Sequence, residues 1–228
     1  MKTLRILCSL LFFVSALLAQ PRISVDRTTV DLGVIYNGTV RKARVVVKNI
    51  GKDTLKILGV HTSCGCTTVK RPRVTLKPGE SDAVEVEFNS TGFRGKITKQ
   101  VSIQSNDALN PQVGVSIVGD VIDELEPVNR SSVVWLGAIP MGKTVEQPIA
   151  FKNVSGKPIT LRGYKSSSEQ VIARMDERSV LPADTIRIIV RVTPKKMDYS
   201  SEQLLLETDS NKQSQVPIRI TFVGVRPN

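Results

Sequence analysis

The sequence predicts an all-β protein: two tandem immunoglobulin-like β-sandwich domains behind an N-terminal export segment. Three observations carry this reading. Short runs rich in valine and isoleucine alternate with turn residues at intervals of roughly 8–12 positions, the rhythm of sandwiches. Within one run, Ala83-Val84-Glu85-Val86-Glu87-Phe88, apolar and polar residues alternate from Val84 onward, so one face is buried and the other wet. The chain also aligns with itself at a constant offset of 104 residues. Helical periodicity is weak everywhere.

The first element is not part of the fold. Lys2 and Arg5 form a basic start, Ile6–Leu18 is an apolar run, and Ala19-Gln20 offers a cleavage point. The run is short for a membrane span and reads as a secretory signal peptide, residues 1–19. Cys8 lies inside the run and not after it, which argues against a lipid anchor. With the peptide removed, no transmembrane segment is expected, and the destination is the periplasm or the outer cell envelope and extracellular space.

The first repeat is expected over residues 20–124. Its strand candidates are Arg22–Val25, Val40–Lys48, Thr54–Val60, Ser81–Phe88, Lys96–Gln104 and Gln112–Val118. Lys77-Pro78-Gly79-Glu80 is a turn, since Pro78 fixes φ and Gly79 tolerates a positive one. The second repeat, residues 125–228, follows a polar linker that carries Pro127. Val30–Ile35 returns as Val134–Ile139, and Val45–Gly59 as Ile149–Gly163. Each repeat is long enough to bury its own core. No distant cysteine pair spans the first repeat, so aliphatic packing must hold it.

Charge excludes little but is informative. The formal net charge is +11, or +9 without Lys2 and Arg5. Residues 20–124 carry 15 basic and 11 acidic side chains, and residues 125–228 carry 15 and 10. The excess is spread evenly and lacks the basic stripe with interleaved aromatics of a nucleic-acid binder. Lys70, Arg71 and Arg73 form a local basic cluster that could contact a partner or an anionic envelope polymer. Trp135 replaces Asp31 of the first repeat, so it is expected to face outward and is a further partner-contact candidate.

Several motifs then fall in order: Lys48-Asn49-x-Gly51, the apolar run Leu55–Val60, Ser63-Cys64-Gly65-Cys66-Thr67, Lys77-Pro78-Gly79-Glu80, Phe88 before Gly92 and Gly95, and Ser105-Asn106-Asp107. Over residues 28–120 this string resembles the bacterial Ig-like family named domain of unknown function 1573. Hydin-type and spindle-protein Ig-like modules look like its wider kin. The resemblance implies a sandwich, an exported protein of the kind common in Bacteroidetes, and no settled activity.

Cys64 and Cys66 are the only cysteines after Cys8. A bend at Gly65 would bring them within bridging range, since glycine tolerates angles other residues avoid. Three readings stand. A local disulfide could pin a loop. A small ring, easily reduced, could do thiol redox chemistry. With His61, the two thiolates could hold copper or zinc, although three ligands do not close a structural zinc site. Cys64 aligns with Ser168 and His61 with Lys165, so the second repeat folds without thiols.

Phosphate loops, nucleophile elbows and histidine-rich metal motifs are not found in the sequence. Glu85 and Glu87 are read as an exposed strand face, not as a catalytic pair. No catalytic residue and no cofactor is assigned. The leading expectation is a non-enzymatic envelope protein that binds a protein or polymer through sandwich edges and loops. The alternative is a thiol redox or soft-metal handling protein acting through Cys64 and Cys66.

Overall fold

The computed structural model describes residues 20–227. The expected signal peptide, residues 1–19, lies outside the described residues. The first repeat forms β1 (Ile23–Val25), β2 (Thr29–Tyr36), β3 (Val40–Asn49), β4 (Leu55–Thr62), β5 (Thr67–Lys70), β6 (Thr75–Leu76), β7 (Ser81–Asn89), β8 (Gly95–Ser105) and β9 (Gln112–Ile122). The second forms β10 (Leu125–Pro127), β11 (Val133–Pro140), β12 (Val145–Asn153), β13 (Ile159–Ser166), β14 (Val171–Arg174), β15 (Ser179–Val180), β16 (Thr185–Val192), β17 (Tyr199–Thr208) and β18 (Gln215–Val225). No helix occurs among the described residues.

The first repeat builds a four-stranded sheet, β1-β3-β7-β5, and a five-stranded sheet, β2-β9-β8-β4-β6. The second builds the same pair, β10-β12-β16-β14 and β11-β18-β17-β13-β15. The fold class is therefore two Ig-like sandwiches, as the alternation and the internal repeat predict. By spatial contact the chain groups into two compact units. Val34–Thr39 and Ser90–Gly95 group with the second unit, which otherwise begins at Val121.

Each sandwich has its own core. In the first, Val45, Val47, Leu55, Ile57, Val84, Val86, Ile103 and Ile117 form an aliphatic cluster. In the second, Phe151 and Phe222 join Leu161, Ile188, Val190 and Leu204. Period-two patterning drives both, because every second side chain of a paired strand leaves water. Glu85 and Glu87 lie on the outer side of β7, where Lys70 and Lys42 lie 3.7 and 2.7 Å from their carboxylates. This bears out their reading as a solvated face.

Three strands escaped the sequence reading: β2, β5 and β6. β5 and β6 have four and two residues, too few for periodicity to register. In β2 the alternation is broken at Gly33, whose φ is +64°. Gly137 repeats that bend in β11 with φ +71°, and there the register against β18 shifts between Trp135 and Ala138.

The sheets are tied by a buried asparagine. Asn49, at the end of β3, is 0% exposed. Its Nδ2 donates to the carbonyls of Asp53 (2.8 Å) and of Leu76 on β6 (2.9 Å), and its Oδ1 accepts from Gly51 N (2.9 Å). Asn153, also 0% exposed, does the same with Lys157 (2.8 Å), Val180 (3.0 Å) and Ser155 N (2.9 Å). One amide thus closes a loop and reaches across to the other sheet. Gly51 is required beside it, since a Cβ there would meet Gln20 O at 2.2 Å.

A second device differs between the repeats. Asp107, 1% exposed, accepts from the main-chain N–H groups of Ile23 (2.9 Å), Leu109 (2.9 Å) and Asn110 (3.2 Å). At the equivalent strand start, Leu125 N donates to Gln213 Oε1 (3.2 Å), as does Glu124 N (2.6 Å). Burial pushes the Asp107 carboxyl up, but the three N–H donors, helped by Arg22, outweigh it and hold the pKa below its ordinary value.

Two predictions follow from these ties. Asn49→Ala and Asn153→Ala should each lower unfolding free energy by about 2–4 kcal/mol in urea titrations, because buried carbonyls lose their donors. Asp107 has a lowered folded pKa, so its contribution is full above the ordinary value of 3.8 and is lost as pH falls through the folded value. Asp107→Asn should therefore flatten the acid limb of stability against pH, while Gln213→Glu, which sets a carboxylate against Asp123 Oδ1 where an amide donates now (3.0 Å), should destabilise most at neutral pH and regain stability as pH falls. Thermal melts between about pH 2 and 7 read both signs.

Candidate functional site: the Cys64–Cys66 turn and an exposed aromatic face

Thr62 ends β4 and Thr67 begins β5, so Ser63–Cys66 carry the chain from the five-stranded sheet to the four-stranded one. Backbone groups that leave a ladder need new partners. Ser63 N donates to Gln100 O on β8 (3.0 Å), and Gln100 N donates back to Ser63 Oγ (3.0 Å). Asn89 N on β7 donates to Cys66 O (2.9 Å). Within the turn, Thr62 Oγ1 donates to Cys64 O (3.0 Å), and Thr67 N donates to the same carbonyl (3.4 Å).

The structure joins Cys64 and Cys66 in a disulfide with Cα atoms 5.3 Å apart. Both residues are half-buried and Gly65 is exposed. Thr67 Oγ1 lies 3.7 Å from Cys64 Sγ and 3.8 Å from Cys66 Sγ. The ring spans a sequence separation of only two. By chain entropy such a closure stabilises by about 1.5 kcal/mol, roughly half the value for a 15-residue loop.

The expectation that glycine freedom makes the bend needs correction. Gly65 is not among the positive-φ residues. Glu169 stands at the equivalent place in the second repeat, where the same turn is drawn without sulfur. Ser167 N donates to Gln203 O (2.9 Å) and Gln203 N to Ser167 Oγ (2.8 Å). Ser166 Oγ donates to Ser168 O (2.7 Å), Val171 N to Ser168 O (3.2 Å), and Thr193 N to Gln170 O (2.9 Å). Each bond has its counterpart in the first repeat. Where the sulfurs are bonded, Gln170 Nε2 touches Ser168 Oγ at 3.4 Å.

His61 is exposed near the end of β4. Its Nε2 lies back along the strand, 2.7 Å from where a Cβ on Gly59 would sit. The structure brings Cys64 and Cys66 together and does not bring His61 to them. Among the described residues no three His, Cys, Asp or Glu side chains gather as a metal site. The basic cluster is largely occupied. Lys70 faces Glu85 at 3.7 Å, and Arg73 lies 3.5 Å from Asp82 and 3.9 Å from Glu80. Arg71 is exposed.

Trp135 is 58% exposed on β11. It is in register with Thr221 on β18, which is in register with Ser201 on β17. In the next row Ala138 is level with Val223 and Tyr199. Tyr199 is 62% exposed, and Met197 just before it is exposed as well. Trp135 and Tyr199 thus share the outer face of the second five-stranded sheet. The sequence reading missed Tyr199. Its signal was an aromatic at an outward position of the alternating run Tyr199–Thr208.

Solved structures with β-rich folds resemble the chain. A protein of unknown function from Porphyromonas gingivalis W83 is 12% identical, with a TM-score of 0.39, over 88% of this chain and 99% of that one. The YadV chaperone is 10% identical, TM-score 0.35, over 86% and 98%. PapD-like domain 7 of human CEP192 is 13% identical, TM-score 0.35, over 46% and 88%. Likenesses this distant carry no argument about activity. No curated protein matches the chain. The sequence profile of one family matches residues 23–121, the span that holds the Ser-Cys-Gly-Cys-Thr motif and both sheets of the first sandwich. That profile is the one described as protein of unknown function (DUF1573), and the likeness is confined to the first sandwich.

Proposed function

We propose that the chain is an exported, non-enzymatic interaction protein of the bacterial cell envelope, and that its second sandwich docks a protein partner. One observation carries the reading: the outer face of β11, β18 and β17 displays Trp135 and Tyr199 to solvent, with Val223 between them. Large aromatics are amphipathic, lose little conformational entropy and anchor interfaces. In the adjacent row Val133 extends the apolar surface, and Arg219 and Gln203 supply a polar rim. No helix among the described residues is long and apolar enough to cross a membrane.

The face is a better candidate than the sheet edges. The four-stranded sheets end on strands of three or four residues, β1 and β5, β10 and β14. The long edge strand β11 is bent at Gly137 and loses register there. Short and bulged edges resist strand addition. The occupied charges of Lys70 and Arg73 likewise favour the aromatic face over the basic cluster.

Two measurements test this. With the exported chain used to capture protein from solubilised envelope, Trp135→Ala combined with Tyr199→Ala should weaken binding of the captured protein at least about tenfold. Leu58→Ala, an equally exposed apolar residue of the first sandwich, should leave it unchanged. Equal binding by all variants contradicts the reading, as does capture that survives protease treatment of the envelope, which would point to a polymer. Cell fractionation with intact mass should find a chain that starts at Gln20 outside the cytoplasm. A full-length cytoplasmic chain contradicts export.

A further inference from the structure

We infer that Cys64–Cys66 is an exchangeable disulfide that accepts electrons from a dithiol-bearing protein, and not a staple of the fold. Two observations carry this independently of the docking face. The first is the duplicated turn. Five hydrogen bonds hold Ser63–Cys66 in place, and the same five recur around Ser167–Gln170, where no sulfur is present and weaker polar contacts of Ser168 and Gln170, with Lys195 N donating to Gln170 Oε1 (2.7 Å), stand where the bridge would be. A crosslink over one intervening residue constrains the unfolded chain little, and here it fastens a turn that its own polar contacts already define. The second is Thr67. Its hydroxyl sits between the two sulfurs, at 3.7 and 3.8 Å, and the second repeat has Val171 at that position. The hydroxyl accompanies the sulfurs and is absent where they are absent.

The exchange balances as follows. A thiolate of the partner dithiol attacks one cysteine Sγ, the Cys64–Cys66 bond breaks, and a mixed disulfide forms while the other cysteine leaves as a thiolate. Thr67 Oγ–H, within reach of either sulfur, donates to that leaving thiolate. The partner's second thiol then loses its proton and attacks the mixed disulfide. The partner ends as a disulfide, and Cys64 and Cys66 end as thiols that have taken up its two electrons and two protons. Because the turn keeps its hydrogen bonds, reduction leaves the sandwich folded.

The experiment uses the full chain after export, equilibrated with mixtures of reduced glutathione and glutathione disulfide. It is quenched in acid, alkylated and read by intact mass, with thermal melts of both forms. The reduced form should accumulate when reduced glutathione is in excess, and its melting temperature should lie within about 5 °C of the oxidised form. Thr67→Val should lower the reduced-to-oxidised ratio at a fixed glutathione mixture by threefold or more at unchanged melting temperature, and Thr67→Ser should restore it. Cys64→Ser with Cys66→Gln, which installs the residues of the second repeat, should melt with the parent. A disulfide that stays closed until the protein unfolds overturns the proposal. So does a reduced or substituted form that melts more than about 10 °C lower, or a Thr67→Val variant with the parent's ratio.

Discussion

Each sandwich depends on how the chain crosses between its two sheets. A strand inside a sheet has its N–H and C=O groups paired by the ladder, but a crossing segment has no ladder. The chain leaves β3 for β4 and then leaves β4 for β5, so β4 is bracketed by two crossings. Asn49 supplies the partners at the first, and the Ser63–Gln100 pair with Asn89 N supplies them at the second. Apolar burial drives the sheets together, yet it is non-directional. The polar pins at both ends of β4 set which residues face each other.

The second sandwich repeats both pins with different residues at several positions. Asn153 stands for Asn49 with the same partners, while Gln213 takes the place of Asp107 and Ser168 and Gln170 take that of the cysteines. Geometry is kept where the chain must cross, while the side chains that supply it have diverged, even at buried positions such as Asp107 and Gln213. Two carboxamides replace an acid and a thiol, so the acceptor at the strand start is an amide oxygen, its own amide nitrogen donating to Asp123 Oδ1 (3.0 Å), and the turn carries no sulfur. The outward positions of its five-stranded sheet have instead gained Trp135 and Tyr199.

Much of this was legible in the sequence. Alternation at Ala83–Phe88 located β7, and the offset between Asn49 and Asn153 exposed the duplication. The Ser-Cys-Gly-Cys-Thr string located the site, and the polar counterpart of Trp135 showed that it faces out. The rest was hidden for physical reasons. β5 and β6 are shorter than one period of any pattern, and Gly33 breaks the period of β2. The equivalence of Asp107 and Gln213 is one of hydrogen-bond acceptors, which residue matching does not see. The role of Thr67 depends on a turn that folds its hydroxyl between two sulfurs. That gly-centred turn also suggested a glycine requirement that Glu169, at the same place in the repeat, does away with.

The central claim is that main-chain and hydroxyl bonds, not sulfur, define the crossing turn. Amide hydrogen exchange tests it directly, because Ser63, Thr67 and Asn89 report the first turn and Ser167, Val171 and Thr193 report its repeat within one molecule. The account predicts that reducing the disulfide leaves protection of the first three amides within the range of the second three. Loss of protection at Ser63, Thr67 and Asn89 on reduction, with Ser167, Val171 and Thr193 unchanged, would contradict it.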